Sequence, residues 1–231
     1  MIQLKSYTPY SDTEETCFIA GQSGLFYPGV RIENISFPLT ISAIRAAVCS
    51  CLANGDKPIE YYPIKKRDKT DLLEFWVNEF NLEIKDSLPH KFDLFDPFVF
   101  SEPVSEIVDI LIELCKSAVT INSGFPVAAL LKTGSGFISG VNIEVSSWSM
   151  GLCAERVAIC RALAHGITDL EMMFVHAPKS NFCSPCGSCR QLLMEFMPEK
   201  TIHLYHRDQG VTRHFIQHLL PNAITSDSLK K

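Results

Sequence analysis

The sequence predicts an α/β protein built from two similar domains, each a mixed β-sheet flanked by helices. Two observations carry that expectation. A shift of 111 residues aligns Gly29–Gly55 with Gly140–Gly166 without a gap, and 12 of those 27 positions are identical. Self-similarity of this kind marks a duplicated structural unit. The other observation is the order of patterns in the C-terminal half, where a hairpin precedes strands that alternate with helices.

The elements follow in chain order. Gly29–Gly55 reads as strand, turn and helix, and the apolar positions Val30, Ile32, Ala47 and Leu52 recur as Val141, Ile143, Ala158 and Leu163. The basic run Lys65-Lys66-Arg67 is followed at once by Asp68 and reads as a solvated turn. Leu88–Pro103 carries Pro89, Pro97 and Pro103 among Phe92, Phe95, Phe98 and Phe100. The prolines disfavour regular structure and the phenylalanines point to a linker packed onto a domain, so units 1–100 and 101–231 meet there, with the linker near 88–103. Ser101-Glu102-Pro103 reads as a helix start, and Ile107, Leu111, Leu114 and Ala118 recur with helical spacing. Strands are expected over Pro126–Leu131 and Phe137–Val145, joined by Gly134-Ser135-Gly136 as a hairpin turn rather than a phosphate loop. Leu152–His165 reads as a helix closed by Gly166. A buried strand over Leu170–His176, a helix over Gly187–Met197 stopped by Pro198, a strand over Thr201–His206 and a last helix over Thr212–Leu220 complete the prediction.

Composition narrows the function. A formal net charge of −5 over 231 residues argues against a chain that tracks a phosphate backbone, so no nucleic-acid partner is expected. No stretch reaches the roughly 18 apolar residues of a membrane span, and the N-terminus lacks the basic and apolar regions of an export signal. Nine cysteines in such a chain imply a reducing, cytoplasmic setting, where clustered thiols bind metal more often than they pair.

Two clusters carry chemistry. Cys153-Ala154-Glu155 opens one expected helix, and Pro185-Cys186-Gly187-Ser188-Cys189 opens another. A cysteine at a helix N-terminus meets exposed N–H groups and the positive end of the dipole, which favours the thiolate. Cys153, Cys186 and Cys189 supply three ligands and leave the fourth tetrahedral position to water, the pattern of a catalytic zinc rather than a closed structural one. Glu155 then carries protons between that water and the substrate, as in zinc deaminases whose Cys-x-Glu and Pro-Cys-x-x-Cys pair in this way. Residues two apart on a helix lie about 200° apart around its axis, so Cys153 and Glu155 meet one water only over the helix end. Arg156 and Arg190, each following a motif, are candidates to offset the charge of three thiolates. In the first copy Ser42, Ala43 and Ile44 stand where the second has Cys153, Ala154 and Glu155, and Thr70–Phe80 holds no cysteine. One Zn2+ per chain is therefore expected.

The second half resembles the cytidine deaminase family over essentially its whole length. The family's motifs stand here, in order, as Phe125-Pro126-Val127-Ala128-Ala129, Asn142-Ile143-Glu144, Cys153-Ala154-Glu155-Arg156 and Pro185-Cys186-Gly187-Ser188-Cys189-Arg190-Gln191. The resemblance implies hydrolytic deamination of cytidine or 2′-deoxycytidine within pyrimidine salvage, with water attacking C4. It implies that Phe125 and Ala154 contact the base and that Asn142 and Glu144 contact the ribose. Departures are Val145 in place of a second asparagine, Asn122-Ser123 in place of tyrosine-serine, and Ile224 in place of a C-terminal aromatic. The family's packing of small domains implies a homodimer, a four-domain assembly in which the first half, which keeps Tyr7-Thr8-Pro9-Tyr10-Ser11 and Glu33-Asn34, is a degenerate scaffold.

Plainer readings compete for several residues. Cys183 lies three before Cys186 but lacks the framing of Pro185 and Gly187, so it is set aside as a ligand. Cys17, Cys49, Cys51, Cys115 and Cys160 fall in apolar or helical segments and read as small hydrophobes. His214 and His218 lack the neighbouring glutamate of a zinc-protease helix and read as a surface face. His203 and His206 bracket a strand, and Glu144 has the alternative of a strand-end carboxylate because Glu33 persists in the copy without chemistry. Two rival functions remain: deamination of another aminopyrimidine nucleoside, as in blasticidin-type enzymes, and a non-catalytic zinc module. The Asn142/Glu144 pair speaks for an ordinary ribose, and Glu155 speaks against a purely structural zinc.

Overall fold

The computed structural model describes residues 3–65, 72–100, 106–208, 210–225 and 229. Most of the basic run Lys65-Lys66-Arg67-Asp68 and the expected helix start Ser101-Glu102-Pro103 lie outside the described residues.

The first half begins with a hairpin, β1 (Thr16–Gly21) and β2 (Leu25–Val30). Helix α1 (Ala43–Leu52) and strand β3 (Pro58–Lys65) follow, with β3 antiparallel to β1. Helix α2 (Leu73–Phe80) then leads to β4 (Glu83–Ile84), parallel to β3, and β5 (Asp93–Leu94), parallel to β2. The sheet order is β4-β3-β1-β2-β5.

The second half repeats the theme and extends it. Its sheet takes in β6 (Phe98–Phe100) from the linker, and its own elements begin with α3 (Ile107–Leu114), the hairpin β7 (Ala128–Thr133) and β8 (Gly136–Val141), and α4 (Ala154–Ala164). Then come β9 (Leu170–His176), α5 (Gly187–Phe196), β10 (Thr201–Tyr205), β11 (Val211–Phe215) and the single turn α6 (Ile216–Leu219). The sheet order is β11-β10-β9-β7-β8-β6, with β9 and β10 parallel and the other pairs antiparallel. The segment with three prolines spans both halves: β5 pairs with the first sheet and β6 with the second.

Three readings of the sequence change. The C-terminal helix shrinks to α6, because Val211–Phe215 is a strand antiparallel to β10. Its residues alternate between exposed and half-buried, the period of a sheet edge, and the four-residue spacing of His214 and His218 imitated a helix face. The hairpin strands sit about two residues from their expected starts or end earlier, since Asn142–Val145 leaves the ladder. The helix expected from Leu152 starts at Ala154, with Cys153 as its extended N-cap.

Every residue of α4 is buried, which makes it the central helix of the molecule. It lies on β7 and β8 and also packs against α1 and β2 of the first half. Gly140 permits that proximity: a Cβ there would stand 2.2 Å from the Ala154 carbonyl oxygen, and Gly29 faces the Ala43 carbonyl in the same way at 2.1 Å. Buried Arg161 of α4 fastens the halves, donating to Ser50 O and Oγ in α1 and to Ser139 O and Oγ in β8. Its charge also lies 4.8 Å from the centre of the Phe95 ring.

The contacts between the halves are reciprocal. Arg45 of α1 donates to backbone carbonyls in the second half, and Arg156, which occupies the same position of the repeat, donates to the Leu39 carbonyl in the first. Glu195 of α5 accepts from the Ile35 N–H at 3.2 Å, while Glu79 of α2 accepts from the Ser146 N–H at 2.8 Å. Ile35 and Ser146 are again related by the shift of 111. Two copies of one unit thus face each other as subunits of a twofold dimer do.

Candidate active site

Two helix starts converge. Cys153 is the N-cap of α4 and Cys186 the N-cap of α5, both in extended conformation, and Cys189 follows in the first turn of α5. Cys186 Sγ lies 3.6 Å from Cys153 Sγ and 3.6 Å from Cys189 Sγ, and all three sulfurs fall within 4.8 Å of one another. Four ligands about 2.3 Å from a tetrahedral zinc stand about 3.8 Å apart, so the donor set fits that ion. Hydrogen bonds from the Cys153 and Cys189 thiols hold the Cys186 thiol far below its usual range, and the backbone N–H groups of Cys189 and Ser188 add to them. The same hydrogen bonds push the Cys153 and Cys189 thiols up as they lower Cys186, so the negative charge gathers on the sulfur at the start of α5. Cys183 stays outside the cluster, with its Sγ directed at the Val175 carbonyl.

Glu155, only 3% exposed, lies in the first turn of α4 beside this cluster. Burial, aided by the nearby Cys186, pushes its carboxyl up to about 7. A carboxyl near neutrality can both accept and return a proton. Both Glu155 and the cysteines Cys153 and Cys186 line a cavity of about 590 Å³.

The same cavity is lined by Phe125, Asn142 and Glu144. Asn142 clamps the chain ahead of β7, accepting from the Val127 N–H at 2.7 Å and donating to the Phe125 carbonyl at 2.9 Å. Glu144 accepts from the N–H groups of Asn122 and Ser123 at 2.7 and 3.0 Å and from the Ser123 hydroxyl. Partial burial works against its charge, but these hydrogen bonds outweigh it and hold Glu144 below the usual carboxylate range. Glu33 is gripped alike by Tyr10 N–H, Ser11 N–H and the Ser11 hydroxyl, so this loop clasp belongs to the repeated unit. Arg31 takes the place of Asn142 there and donates to Glu33 at 3.2 Å.

Of the other expected site residues, Arg156 also lines this cavity and the rest lie outside it. Ala154 is fully buried behind Cys153 and is not among the cavity-lining residues. Neither arginine hydrogen-bonds a sulfur: Arg156 reaches the Leu39 carbonyl, and Arg190 braces Pro185 O, Ser184 Oγ and Leu219 O. Val145 is buried, and its carbonyl accepts from the Asn122 amide at 3.1 Å. Ile224 lies off the main cavity, on a smaller one of about 310 Å³ beside Glu195 and Glu199. Trp148 and Phe182, which carry no motif in the sequence, also line the main cavity. Trp148 is equivalent to Phe37 under the shift of 111, and both are highly exposed, at 71% and 83%. In the first half Ser42 caps α1 and Ile44 is fully buried where Cys153 and Glu155 stand in the second.

Fold and site together define an α/β protein with three clustered thiols that could hold a metal ion beside a buried carboxyl. Residues 101–205 match the family described as the cytidine and deoxycytidylate deaminase zinc-binding region. The cytidine deaminase of Mycoplasma genitalium is 37% identical over 119 residues, which span 51% of this chain and 92% of that protein. The cytidine deaminase of Sporosarcina psychrophila is 37% identical over 112 residues, 46% of this chain and 80% of that protein. The blasticidin-S deaminase of Bacillus cereus is 28% identical over 127 residues, 50% of this chain and 90% of that protein. The chain belongs to the cytidine deaminase family, and zinc is the metal that family's domain binds.

Proposed function

We propose that the protein catalyses hydrolytic deamination of cytidine and 2′-deoxycytidine, releasing ammonia and the uracil nucleoside, as a step of pyrimidine salvage. One observation carries the reading: two sulfurs of the three-cysteine cluster, Cys153 and Cys186, line the same cavity as Glu155, Asn142 and Glu144. Cys153, Cys186 and Cys189 hold one zinc ion, whose Lewis acidity makes water a nucleophile at neutral pH. Glu155 takes one proton from the attacking water and delivers it to the ring nitrogen, then takes the remaining proton of the new C4 hydroxyl and delivers it to the amine, which leaves as ammonia while the C4 carbonyl forms. Phe125 forms an apolar wall for the base, and the clasped Glu144 with Asn142 receives the sugar hydroxyls. Residues 101–231 constitute the catalytic domain and 1–100 a non-catalytic domain that supports it.

Assembly enters the same proposal. Phe37 and Trp148, equivalent under the repeat, each leave a large aromatic side chain exposed, which favours a homodimer that covers them. The similarity to blasticidin-S deaminase favours a second reading, an aminopyrimidine nucleoside other than cytidine. Ammonia release from a panel of nucleosides, with zinc measured on the same sample, tests both. Turnover of cytidine with one zinc per chain is expected. No turnover of any nucleoside, or zinc retained after Cys186→Ser with Cys189→Ser, overturns the proposal.

A further inference from the structure

The segment that delivers Cys153 is held from two sides. On one side Leu152 exchanges backbone hydrogen bonds with Ile143, at 2.8 and 2.9 Å, which ties the segment to the stretch bearing Asn142 and Glu144. On the other side stands Arg45, a residue of the first half. Its Nη2 donates to the Ser149 carbonyl at 3.0 Å and the Gly151 carbonyl at 2.7 Å. Ser149, Gly151, Leu152 and Cys153 all line the main cavity. Gly151 has no room to yield toward Ile143, because even a Cβ there would stand 2.3 Å from the Ile143 carbonyl oxygen.

The corresponding contact in the other direction shows what is special about this one. Arg156 makes a single bond, 3.2 Å long, to Leu39, in a half where Ser42 replaces the thiol. Arg45 makes two bonds, to the segment that ends at a metal-binding thiol. We propose that Arg45 is a positioning residue for the zinc centre, contributed by the non-catalytic half, that fixes the Ser149–Cys153 segment and with it the Cys153 sulfur and the cavity wall. The idea rests on the proposed zinc chemistry of the second half. Groups that orient a metal ligand from outside the coordination shell matter by about 10- to 100-fold in affinity or activity.

The test uses the full-length zinc-loaded protein as parent, R45A, R45K and R161K. Arg161 fastens the same two halves without touching the cavity segment. Turnover, KM for cytidine, zinc transfer to a chromophoric chelator and melting temperature are measured for each. For R45A, kcat is expected to fall about 10- to 100-fold with KM changed by less than about threefold, and zinc transfer to speed up about tenfold. R45K, which keeps a cation able to reach one carbonyl, is expected to recover part of both losses. R161K is expected to melt lower but to keep kcat per bound zinc within about twofold of the parent. Should R45A not fold, an R45K protein with unchanged melting temperature and a kcat at least about threefold down supports the role. Parent-like kcat and zinc transfer in the folded Arg45 variants overturn it, as does an R161K that reproduces the R45A losses. An inactive parent would overturn the proposed function instead, and zinc transfer would still decide the role of Arg45.

Discussion

Substituting Gly140 by alanine separates the two halves experimentally. The added Cβ would stand 2.2 Å from the Ala154 carbonyl oxygen and 2.6 Å from the Ala158 amide nitrogen. Ordinary contact requires the helix to move off β8 by about 1 Å. Both obstacles are backbone of α4, so no side-chain rotation relieves them. Overpacking of this kind costs about 1–3 kcal/mol, which lowers the melting temperature of a chain this size by roughly 2–12 °C. The moving end of α4 carries Cys153 and Glu155, and a misplacement of about 1 Å at reacting groups costs about 100-fold in rate. Gly29→Ala meets an equivalent obstacle, the Ala43 carbonyl at 2.1 Å, at the start of a helix with neither group. Thermal unfolding and ammonia release, measured on both variants, give the answer. Comparable loss of stability is expected, with kcat falling about 100-fold in Gly140→Ala and by less than about fivefold in Gly29→Ala. Equal losses of kcat would refute the assignment of catalytic groups to the start of α4 and not to that of α1.

Other outcomes follow from the same geometry. Glu155→Gln is expected to retain zinc by elemental analysis and to lose about 10²–10⁴-fold in turnover; activity within tenfold of the parent would reassign the proton carrier. Free cytosine is expected to be a poor substrate, and 3′-deoxycytidine to suffer by about 1–3 kcal/mol, or roughly 5- to 150-fold in kcat/KM, because the Glu144 carboxylate loses a donor. Equal rates on cytosine and cytidine would remove the sugar site. Residues 101–231 expressed alone expose the α4 surface that packs on α1 and β2, so an aggregated or nearly inactive product is expected by light scattering and assay. A soluble, fully active fragment would refute the supporting role of the first half.

The repeat made the two hairpin–helix units legible, because Gly29, Val30, Ala47 and their counterparts are constrained by the same close packing in each half. The cysteine cluster was legible for a local reason: helix starts favour thiolates, and Cys153 and Cys186 are both N-caps. Strand β11 was not, since five residues of mixed polarity at a sheet edge carry a weak period that the two histidines masked. The partners of Arg45, Arg156 and Glu79 were hidden more deeply. Each binds backbone atoms more than 60 residues away, and a backbone carbonyl or N–H leaves no trace in residue identity. Arg156 illustrates the effect, because its place after the Cys-Ala-Glu motif pointed to sulfur while the fold turned it toward Leu39.

The reciprocal contacts have a consequence for how such a chain can change. In a dimer of identical subunits every substitution occurs twice, so a group that loses its ligand also loses the support it gives its neighbour. Here Arg45 and Arg156 are encoded separately, and a mutation touches one without the other. The first half was thereby free to discard its thiol and carboxylate while the guanidinium it extends to the other half stayed. Covalent linkage also keeps giver and receiver together at a fixed ratio, so the contact between halves does not weaken on dilution as it would between separate chains.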